Sequence, residues 1–174
     1  MDYKLTMPLK QADIDRLRIY DTVLITGKIY AGRDAVLPKV LQCIQDGTLK
    51  EKGIELQGQV VFHTAVSCAG IGPTSSNKVE LEESIRPLSE NGVKLHLGKG
   101  ALKRETVEAL RENGSVFAVT PPVTALFFEN MKGKRVVAYP ELGMEALYEL
   151  DVVDFPAIIA IAQGESIFDG GNQK

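Results

Sequence analysis

The sequence contains few of the side chains that bind metal ions. It has two cysteines, two histidines and no tryptophan among its 174 residues. Cys43 and Cys68 do not form a CxxC pair, and two thiolates cannot complete a tetrahedral zinc site or hold an iron–sulfur cluster by themselves. His63 and His96 lie inside apolar runs, where we expect them to pack at the edge of the core. The sequence therefore predicts no metal site within this chain.

The sequence also lacks the patterns of two large functional classes. The net charge is −3 and the basic residues are scattered, which excludes the basic surface typical of nucleic-acid-binding proteins. No apolar run reaches the roughly 18 residues that a membrane-spanning helix needs. The N-terminal segment carries charges where a signal peptide would have its apolar core. We therefore predict a cytoplasmic protein that binds neither nucleic acids nor membranes.

Apolar runs with alternating strand-like and helix-like spacing dominate the rest of the sequence. A chain of 174 residues, 44% of them hydrophobic, can bury one sizeable core, and no linker or repeat divides it. We predict strands at 21–32, 58–66 and 115–120, and helices at 34–47, 103–114 and 123–131. The alternation predicts a mixed, layered α/β fold in a single domain over 1–174, with a frayed tail at 169–174.

Local signals set the expected ends of several elements. Asp34 is expected to cap the helix after the first of these strands, because Pro38 fits only near the first turn of a helix. Pro87 interrupts a helical pattern, so we expect that helix to begin near Ser84. The C-terminal apolar stretch is predicted to form two strands joined around residues 154–156.

Three polar clusters follow apolar runs in this sequence. The first spans residues 32–34, the second residues 72–78 and the third residues 98–100. Polar side chains on tight glycine turns at strand ends form the usual ligand site of α/β domains. We therefore expect the three clusters to converge on one crevice.

The side chains of these clusters suit a small anion. Arg33 offers a planar guanidinium that can hold a carboxylate through two hydrogen bonds. Lys78 and Lys99 add point charges, and the backbone amides from Gly72 onward can surround an oxyanion. The set predicts a site for a di- or tricarboxylate. Thr74 and Ser75 can transfer protons there, although a threonine hydroxyl needs activation by a neighbouring group and no strong base is obvious.

Each cluster also has an interpretation without function. Arg33 and Asp34 are equally consistent with an exposed ion pair beside a helix start, and the segments around Gly72 and Lys99 with ordinary turns. The third cluster is not a P-loop, because the spacing GxxxxGK[ST] is absent. Cys68 precedes the second cluster, but no group that would orient a cysteine nucleophile is evident.

The order of the motifs resembles the β subunit of class I fumarate hydratase. The matching segments are RDA at 33–35, GPTSS at 72–76, LGKG at 97–100 and VVAYPELGMEALYELDVVDFPAIIAI at 136–161. The β subunit of L(+)-tartrate dehydratase has a similar pattern, as does the C-terminal half of single-chain class I fumarases. The resemblance covers nearly the whole chain, from about Leu5 to Phe168.

The resemblance implies a swivelling β/β/α domain that packs on an α subunit. In this family the α subunit carries a [4Fe–4S] cluster with three cysteine ligands and one open iron, so the cofactor is expected on the partner and not on this chain. The implied reaction is the reversible hydration of fumarate, a small dicarboxylate, to L-malate. Contacts between two β subunits in the assembly are a further expectation.

The resemblance also implies roles for individual residues. Arg33 matches an arginine that binds substrate, and Asp34 matches the aspartate that orients it, which makes Asp34 a candidate catalytic residue. Thr74 matches a threonine implicated in proton transfer, and Ser75 keeps a hydroxyl at the next position. Lys99 matches a lysine of the substrate pocket.

Departures from the family pattern leave the substrate open. Leu37 stands where the family has a histidine proposed to be catalytic, and leucine cannot transfer a proton. Lys78 replaces an arginine, which keeps the charge but loses the two-pronged hydrogen bonding. The turn expected to read HAGP reads HTAV at 63–66. The alternatives are a dehydratase of L(+)-tartrate or a related hydroxy acid, and a non-catalytic anion-binding module.

Overall fold

A computed structural model describes residues 2–67, 70–74, 78–120 and 130–168 of the chain. Ser75, Cys68, most of the helix predicted at 123–131 and the tail at 169–174 lie outside these residues. The strands are β1 (Asp2–Thr6), β2 (Thr22–Ala31), β3 (Val60–Phe62), β4 (Thr64–Ser67), β5 (Gly70–Thr74), β6 (Leu95–Gly98), β7 (Val116–Val119), β8 (Met131–Ala138), β9 (Leu147–Ala162) and β10 (Glu165–Ser166). The helices are α1 (Gln11–Asp15), α2 (Leu37–Asp46), α3 (Lys78–Glu90) and α4 (Arg104–Glu112), with a 3₁₀ segment at Pro140–Glu145.

The strands form one large mixed sheet and a separate hairpin. In the large sheet β1, β2, β3, β6 and β7 lie side by side in that order, all parallel. β9 runs antiparallel to both β2 and β7, so the path from β2 through β3, β6, β7 and β9 closes on itself. β4 and β5 pair with each other as a two-stranded hairpin. The predicted mixed α/β fold is confirmed.

The core is divided by the sheet because strand side chains alternate between its faces. On β3, Val60 and Phe62 pack into the cluster enclosed by the sheet, where Phe62 meets Phe155 edge to face with ring centroids 5.8 Å apart. Val61 faces the other way and packs against Val40 of α2 and Leu88 of α3. All three residues of β3 are buried, which explains the continuous apolar run in the sequence.

Two predicted helix starts are wrong. α2 begins at Leu37 and not at Asp34, which lies in the preceding turn; Pro38 is indeed within the first turn. α3 begins at Lys78 and contains Pro87, although we expected a start near Ser84. A proline inside a helix removes one hydrogen bond to the carbonyl four residues earlier. Here that carbonyl belongs to Glu83, an exposed residue.

The two strands predicted near the C-terminus form the single strand β9. β2 pairs with β9 on both sides of residue 154, so the pairing continues through the expected turn. In place of the expected turn, the pairing has a register shift between Ile25 and Gly27 of β2. Asp154 of β9 lies opposite this shift, and its φ of 49° is in the left-handed region. The Asp154 amide donates to Thr26 Oγ1 at 3.0 Å. A turn-like sequence thus produces a bulge, which increases the bend of a long strand.

Replacing Phe155 with alanine should lower the free energy of unfolding by about 3–5 kcal/mol, because a buried ring leaves a cavity that its neighbours fill only in part. Val153 lies on the same strand but is 40% exposed, so Val153→Ala should change it by less than about 0.5 kcal/mol. Urea unfolding followed by circular dichroism measures both. Equal losses would contradict the placement of Phe155 in the core.

Candidate functional site

Three polar residues follow the carboxyl ends of adjacent parallel strands. Arg33 comes two residues after β2, His63 directly after β3 and Lys99 directly after β6. Two backbone hydrogen bonds hold these ends level: Gly32 N–H donates to Phe62 O at 3.0 Å, and His63 N–H donates to Leu97 O at 2.9 Å. The carboxyl edge of the sheet therefore carries polar side chains from separate parts of the sequence.

A cavity of about 150 Å³ opens beside these strand ends. One wall is apolar and comes from α2, through Leu37, Pro38 and Leu41. The remaining lining residues among those described are polar or charged: Arg33, Asp34, His63, Glu83 and Ser84. Leu37, at the position where the family resemblance implies a histidine, therefore lies at the cavity and covers it with hydrocarbon.

Arg33 holds a carboxylate, and that carboxylate belongs to Glu145. Arg33 Nε donates to Glu145 Oε1 at 2.8 Å and to Oε2 at 3.1 Å, and Arg33 Nη2 donates to Oε1 as well. These hydrogen bonds raise the pKa of the Arg33 guanidinium, with a smaller contribution from the charge of Asp34. The guanidinium thus already binds a carboxylate through two of its nitrogens.

Glu145 was not predicted from the sequence. It ends the 3₁₀ segment and lies 112 positions from Arg33, so no local spacing links the two. Both side chains are about one-quarter exposed, 26% for Arg33 and 27% for Glu145, which leaves the pair accessible to water. The pair is therefore open to exchange with a dissolved anion.

The GPTSS segment, expected to be a loop or a pocket wall, begins within a strand. Gly72 and Thr74 belong to β5, and the Thr74 backbone pairs with Thr64 of β4. The strand predicted over 58–66 breaks at His63, which separates β3 from β4 and sends the chain into the hairpin. Thr74 is thus paired with Thr64, the residue that follows the cavity-lining His63. Lys78 lies at the start of α3, four residues beyond the end of the hairpin.

Lys99 is brought to the same edge of the sheet but not into the cavity. Its side chain is exposed, and it is absent from the described lining of the cavity. The preceding residue, Gly98, packs closely, since a Cβ there would lie 3.3 Å from the Phe117 ring and 3.9 Å from His63 Cβ. Lys99 therefore lies just beyond a closely packed strand end, and its charged side chain is in solvent.

The two histidines form a buried hydrogen-bonded pair. His63 Nε2 lies 3.0 Å from His96 Nδ1, and His96 Nε2 lies 2.9 Å from Ser89 Oγ. Burial lowers the pKa of His63 to about 3 and also lowers the pKa of His96 well below its usual value, with a further contribution from His63. Both imidazoles are therefore neutral at neutral pH. The sequence signal for His63 was its place immediately after a buried strand, as for Arg33 and Lys99.

The described residues contain neither a cluster of metal-binding side chains nor a membrane-spanning helix. Among them, no group of three or more His, Cys, Asp or Glu side chains is arranged to hold a metal ion. The Cys43 thiol is buried and lies 3.0 Å from the Tyr139 hydroxyl. No helix within the described ranges has the length and hydrophobicity needed to cross a membrane.

A family model described as the Fumarase C-terminus matches residues 2–171. The chain belongs to this family. The resemblance to class I fumarase and tartrate dehydratase β subunits, drawn from the motifs, is thereby confirmed. Since the match spans nearly every residue, it includes the Arg33 strand end, the β4–β5 hairpin and the strand β9.

Relatives in the Fumarase C-terminus family fall into two groups by length. A putative L(+)-tartrate dehydratase subunit beta of Methanocaldococcus jannaschii is 29% identical over 181 residues, covering 95% of this chain and 91% of that protein. The L(+)-tartrate dehydratase subunit beta of Escherichia coli is 28% identical over 170 residues, covering 90% of this chain and 81% of that protein. The anaerobic class I fumarate hydratase of E. coli is 27% identical over 166 residues. This chain spans only 30% of that fumarate hydratase, a smaller share than the half we expected.

The histidine pair should make the chain less stable as the pH falls. Histidines in the unfolded chain take up protons near pH 6.5, whereas burial keeps the folded pKa of His63 at about 3 and that of His96 well below its usual value. The pair's contribution is therefore complete above pH 6.5 and is lost below it, by about 3 kcal/mol between pH 6.5 and 5.

Urea unfolding at four pH values between 7.5 and 5 measures this loss. The sequence contains no other histidine, so His63→Gln should halve the slope of stability against pH. A wild-type stability that stays constant over this range would contradict the neutral, buried state of the pair.

Glu145→Gln should strengthen the binding of succinate or fumarate to the chain. Loss of the competing carboxylate frees the Arg33 guanidinium, and a partly exposed ion pair is worth about 0.5–1 kcal/mol, or roughly two- to fivefold in affinity. Isothermal titration calorimetry measures the change. Glu141→Gln, an exposed residue of the same 3₁₀ segment, should leave binding unchanged, and Arg33→Met should abolish it. Unaltered or weaker binding by Glu145→Gln would show that Glu145 does not compete.

Proposed function

We propose that this chain is the carboxylate-binding β subunit of a two-subunit hydro-lyase that reversibly hydrates fumarate to L-malate. The observation that carries the proposal is the two-pronged grip of Arg33 on a carboxylate, beside a cavity at the strand ends. Membership of the Fumarase C-terminus family adds to it, because relatives carry the names of hydratases and dehydratases of small carboxylic acids.

In this proposal Arg33 binds one carboxylate of the substrate in exchange for Glu145. Asp34 lies next to Arg33 in sequence and its charge already favours the guanidinium, which suits the orienting role that the family resemblance implies. The hydrocarbon of Leu37 and Leu41 keeps water from the carbon chain of the substrate. Lys99 supplies a positive charge for the second carboxylate once the site is closed.

Proton transfer is proposed for the hairpin. Hydration adds a hydroxyl group to one carbon of the double bond and a proton to the other. Thr74 is the candidate that exchanges this proton, with Ser75 as a second hydroxyl, since the hairpin backbone places Thr74 opposite Thr64 and therefore near the cavity-lining His63. The positive charge of Lys78 and the amide of Gly72 would stabilise negative charge that develops on the substrate.

The described residues do not fit an iron–sulfur cluster. The Cys43 thiol is buried against Tyr139, and the part of the chain that the structure describes offers no set of metal-binding side chains. In the proposal a [4Fe–4S] cluster, which would polarise the hydroxyl that is added or removed, belongs to a separate α subunit. Two of the relatives are named β subunits, which favours such a partner. We further propose a swivelling β/β/α arrangement, β–β contacts in a cytoplasmic assembly, and one domain over the whole chain.

L(+)-tartrate is a second candidate substrate. The relatives named as tartrate dehydratase β subunits match this chain over most of their own lengths, 91% and 81%. Tartrate differs from malate by one hydroxyl group, which needs a hydrogen-bond partner when buried. Glu83 and Ser84 at the cavity are polar groups in position to offer one.

Co-expression with a cluster-bearing α subunit should yield a complex that hydrates fumarate, whereas this chain alone should have neither hydratase activity nor cluster absorbance. Spectrophotometric assays with fumarate and with L(+)-tartrate separate the two candidates. A complex that turns over neither substrate would contradict both. Thr74→Ala and Lys99→Met should each reduce turnover at least tenfold, about 1.4 kcal/mol of transition-state stabilisation; full activity in both variants would favour a non-catalytic anion-binding module.

A further inference from the structure

A line of three buried side chains joins the candidate cavity to the protein surface. His63 lies at the cavity, His96 lies behind it, and Ser89 follows, with consecutive nitrogen–nitrogen and nitrogen–oxygen distances of 3.0 and 2.9 Å. The exposed fractions of the three are 1%, 0% and 4%. Each distance is within the range of a good hydrogen bond, so the line is continuous.

One end of this line is unsatisfied. His63 Nδ1 is buried and has no hydrogen-bond partner among the described residues. A buried polar atom without a partner is uncommon in folded proteins, because its loss of hydration is not replaced. His63 also lines the cavity that Arg33 and Asp34 line. The unsatisfied nitrogen therefore belongs to a side chain in the lining of the candidate cavity.

The other end of the line, Ser89, lies at a surface cleft. Ser89 lines a second, polar cleft of about 640 Å³ on the far side of the pair. Exposed charged side chains share that cleft with it, among them Glu90, Arg111 and Glu112. Water in this cleft can thus reach the hydroxyl group that contacts His96.

The hydrogen bonds of the line can run in either direction. In one arrangement His63 Nε2–H donates to His96 Nδ1, and His96 Nε2–H donates to Ser89 Oγ. In the other, Ser89 Oγ–H donates to His96 Nε2, and His96 Nδ1–H donates to His63 Nε2. All side chains are neutral in both, and His63 Nδ1 is an acceptor in the first and a donor in the second. A purely structural pair would need only one of these arrangements.

We propose that His63, His96 and Ser89 form a proton-transfer chain between the candidate carboxylate site and the surface cleft. The proposal rests on the proposed function, since hydration and dehydration exchange one proton with the substrate. In the dehydration direction, the proton that the proposed function assigns to Thr74 passes on to His63 Nδ1, and His63 Nε2 passes its proton to His96 Nδ1. His96 Nε2 then protonates Ser89 Oγ, whose own proton goes to water. Each transfer forms one bond to hydrogen and breaks one, and no side chain keeps a charge; hydration runs the same transfers backwards.

The chain also assigns a role to each member. His63 is the member of the line that belongs to the cavity lining, while His96 and Ser89 are positioning residues that act through it. His63 would occupy the place in proton transfer that Leu37 cannot fill, because both side chains line the same cavity. The apolar neighbours and low pKa of the pair keep the chain neutral, so that a proton passes through it and is not stored there.

Nitrogen NMR of the isolated chain labelled with 15N-histidine tests the connection directly. The sequence has two histidines, so four ring nitrogens report the tautomer of each member. We expect Ser89→Ala to shift the tautomer populations of His96 and His63 together. Ser115→Ala is the matched control, because Ser115 is equally buried at 3% but donates to Val93 O instead. A Ser89→Ala shift confined to His96, or none at all, would overturn the proposal.

Isotope transfer in the α–β complex tests the function of the line. L-malate carrying deuterium at the carbon that loses its proton is incubated with unlabelled fumarate, and mass spectrometry measures deuterium that returns to newly formed malate. Ser89→Ala should raise this returned fraction several-fold, because the proton escapes to solvent more slowly, while Ser115→Ala should not. An equal returned fraction in all three proteins would overturn the proposal.

The two experiments separate this proposal from the proposed function. If the complex turns over no hydroxy acid but the two histidines shift together in Ser89→Ala, the function fails and the hydrogen-bonded line stands. If turnover is normal while the isotope result is unchanged, the line fails and the function stands. Ser89→Thr, which keeps the hydroxyl group, should restore both readouts and provides a second variant if Ser89→Ala does not fold.

Discussion

The parallel pairing of β2, β3 and β6 is the constraint on which the candidate site depends. Two backbone hydrogen bonds extend that pairing past the strand ends, from Gly32 to Phe62 and from His63 to Leu97. They fix the chain immediately before Arg33 and immediately before the hairpin β4–β5. Every cavity-lining side chain from these connections therefore takes its position from the register of the sheet.

The register in turn is set by burial. β3 has no exposed residue, and shifting a strand by one position would move each apolar side chain to the opposite face. The same burial controls the chemistry of the polar groups: His63 and His96 are enclosed and neutral, whereas Arg33 is partly open and charged. Within a few residues of the sheet edge, one environment suits proton transfer and the other suits carboxylate binding.

The sequence predicted those parts of the fold and site that depend on local pattern. Arg33 and Lys99 were placed at strand ends because an apolar run and a glycine precede each, and the structure has both at the same edge. Glu145 was missed, since its contact with Arg33 spans 112 positions. The break at His63 was missed because the apolar run of β3 resumes at Ala65 and Val66 of β4, and pairing with different partners separates the two strands. The predictions at Pro87 and at residues 154–156 were wrong for a related reason. Packing keeps the helix continuous across Pro87, and pairing on both sides keeps the strand β9 continuous across residues 154–156.

Because Arg33 is already paired with Glu145, a dissolved anion can bind to Arg33 only by displacing a carboxylate. A monocarboxylate that displaces Glu145 only replaces one carboxylate by another, and the gain in free energy is close to zero. A dicarboxylate makes the same exchange and retains a second charged group for further contacts, so only the second group contributes net affinity. Monocarboxylates such as acetate would therefore not occupy the site. The number of carboxylates on an anion would decide whether it binds, before its shape does.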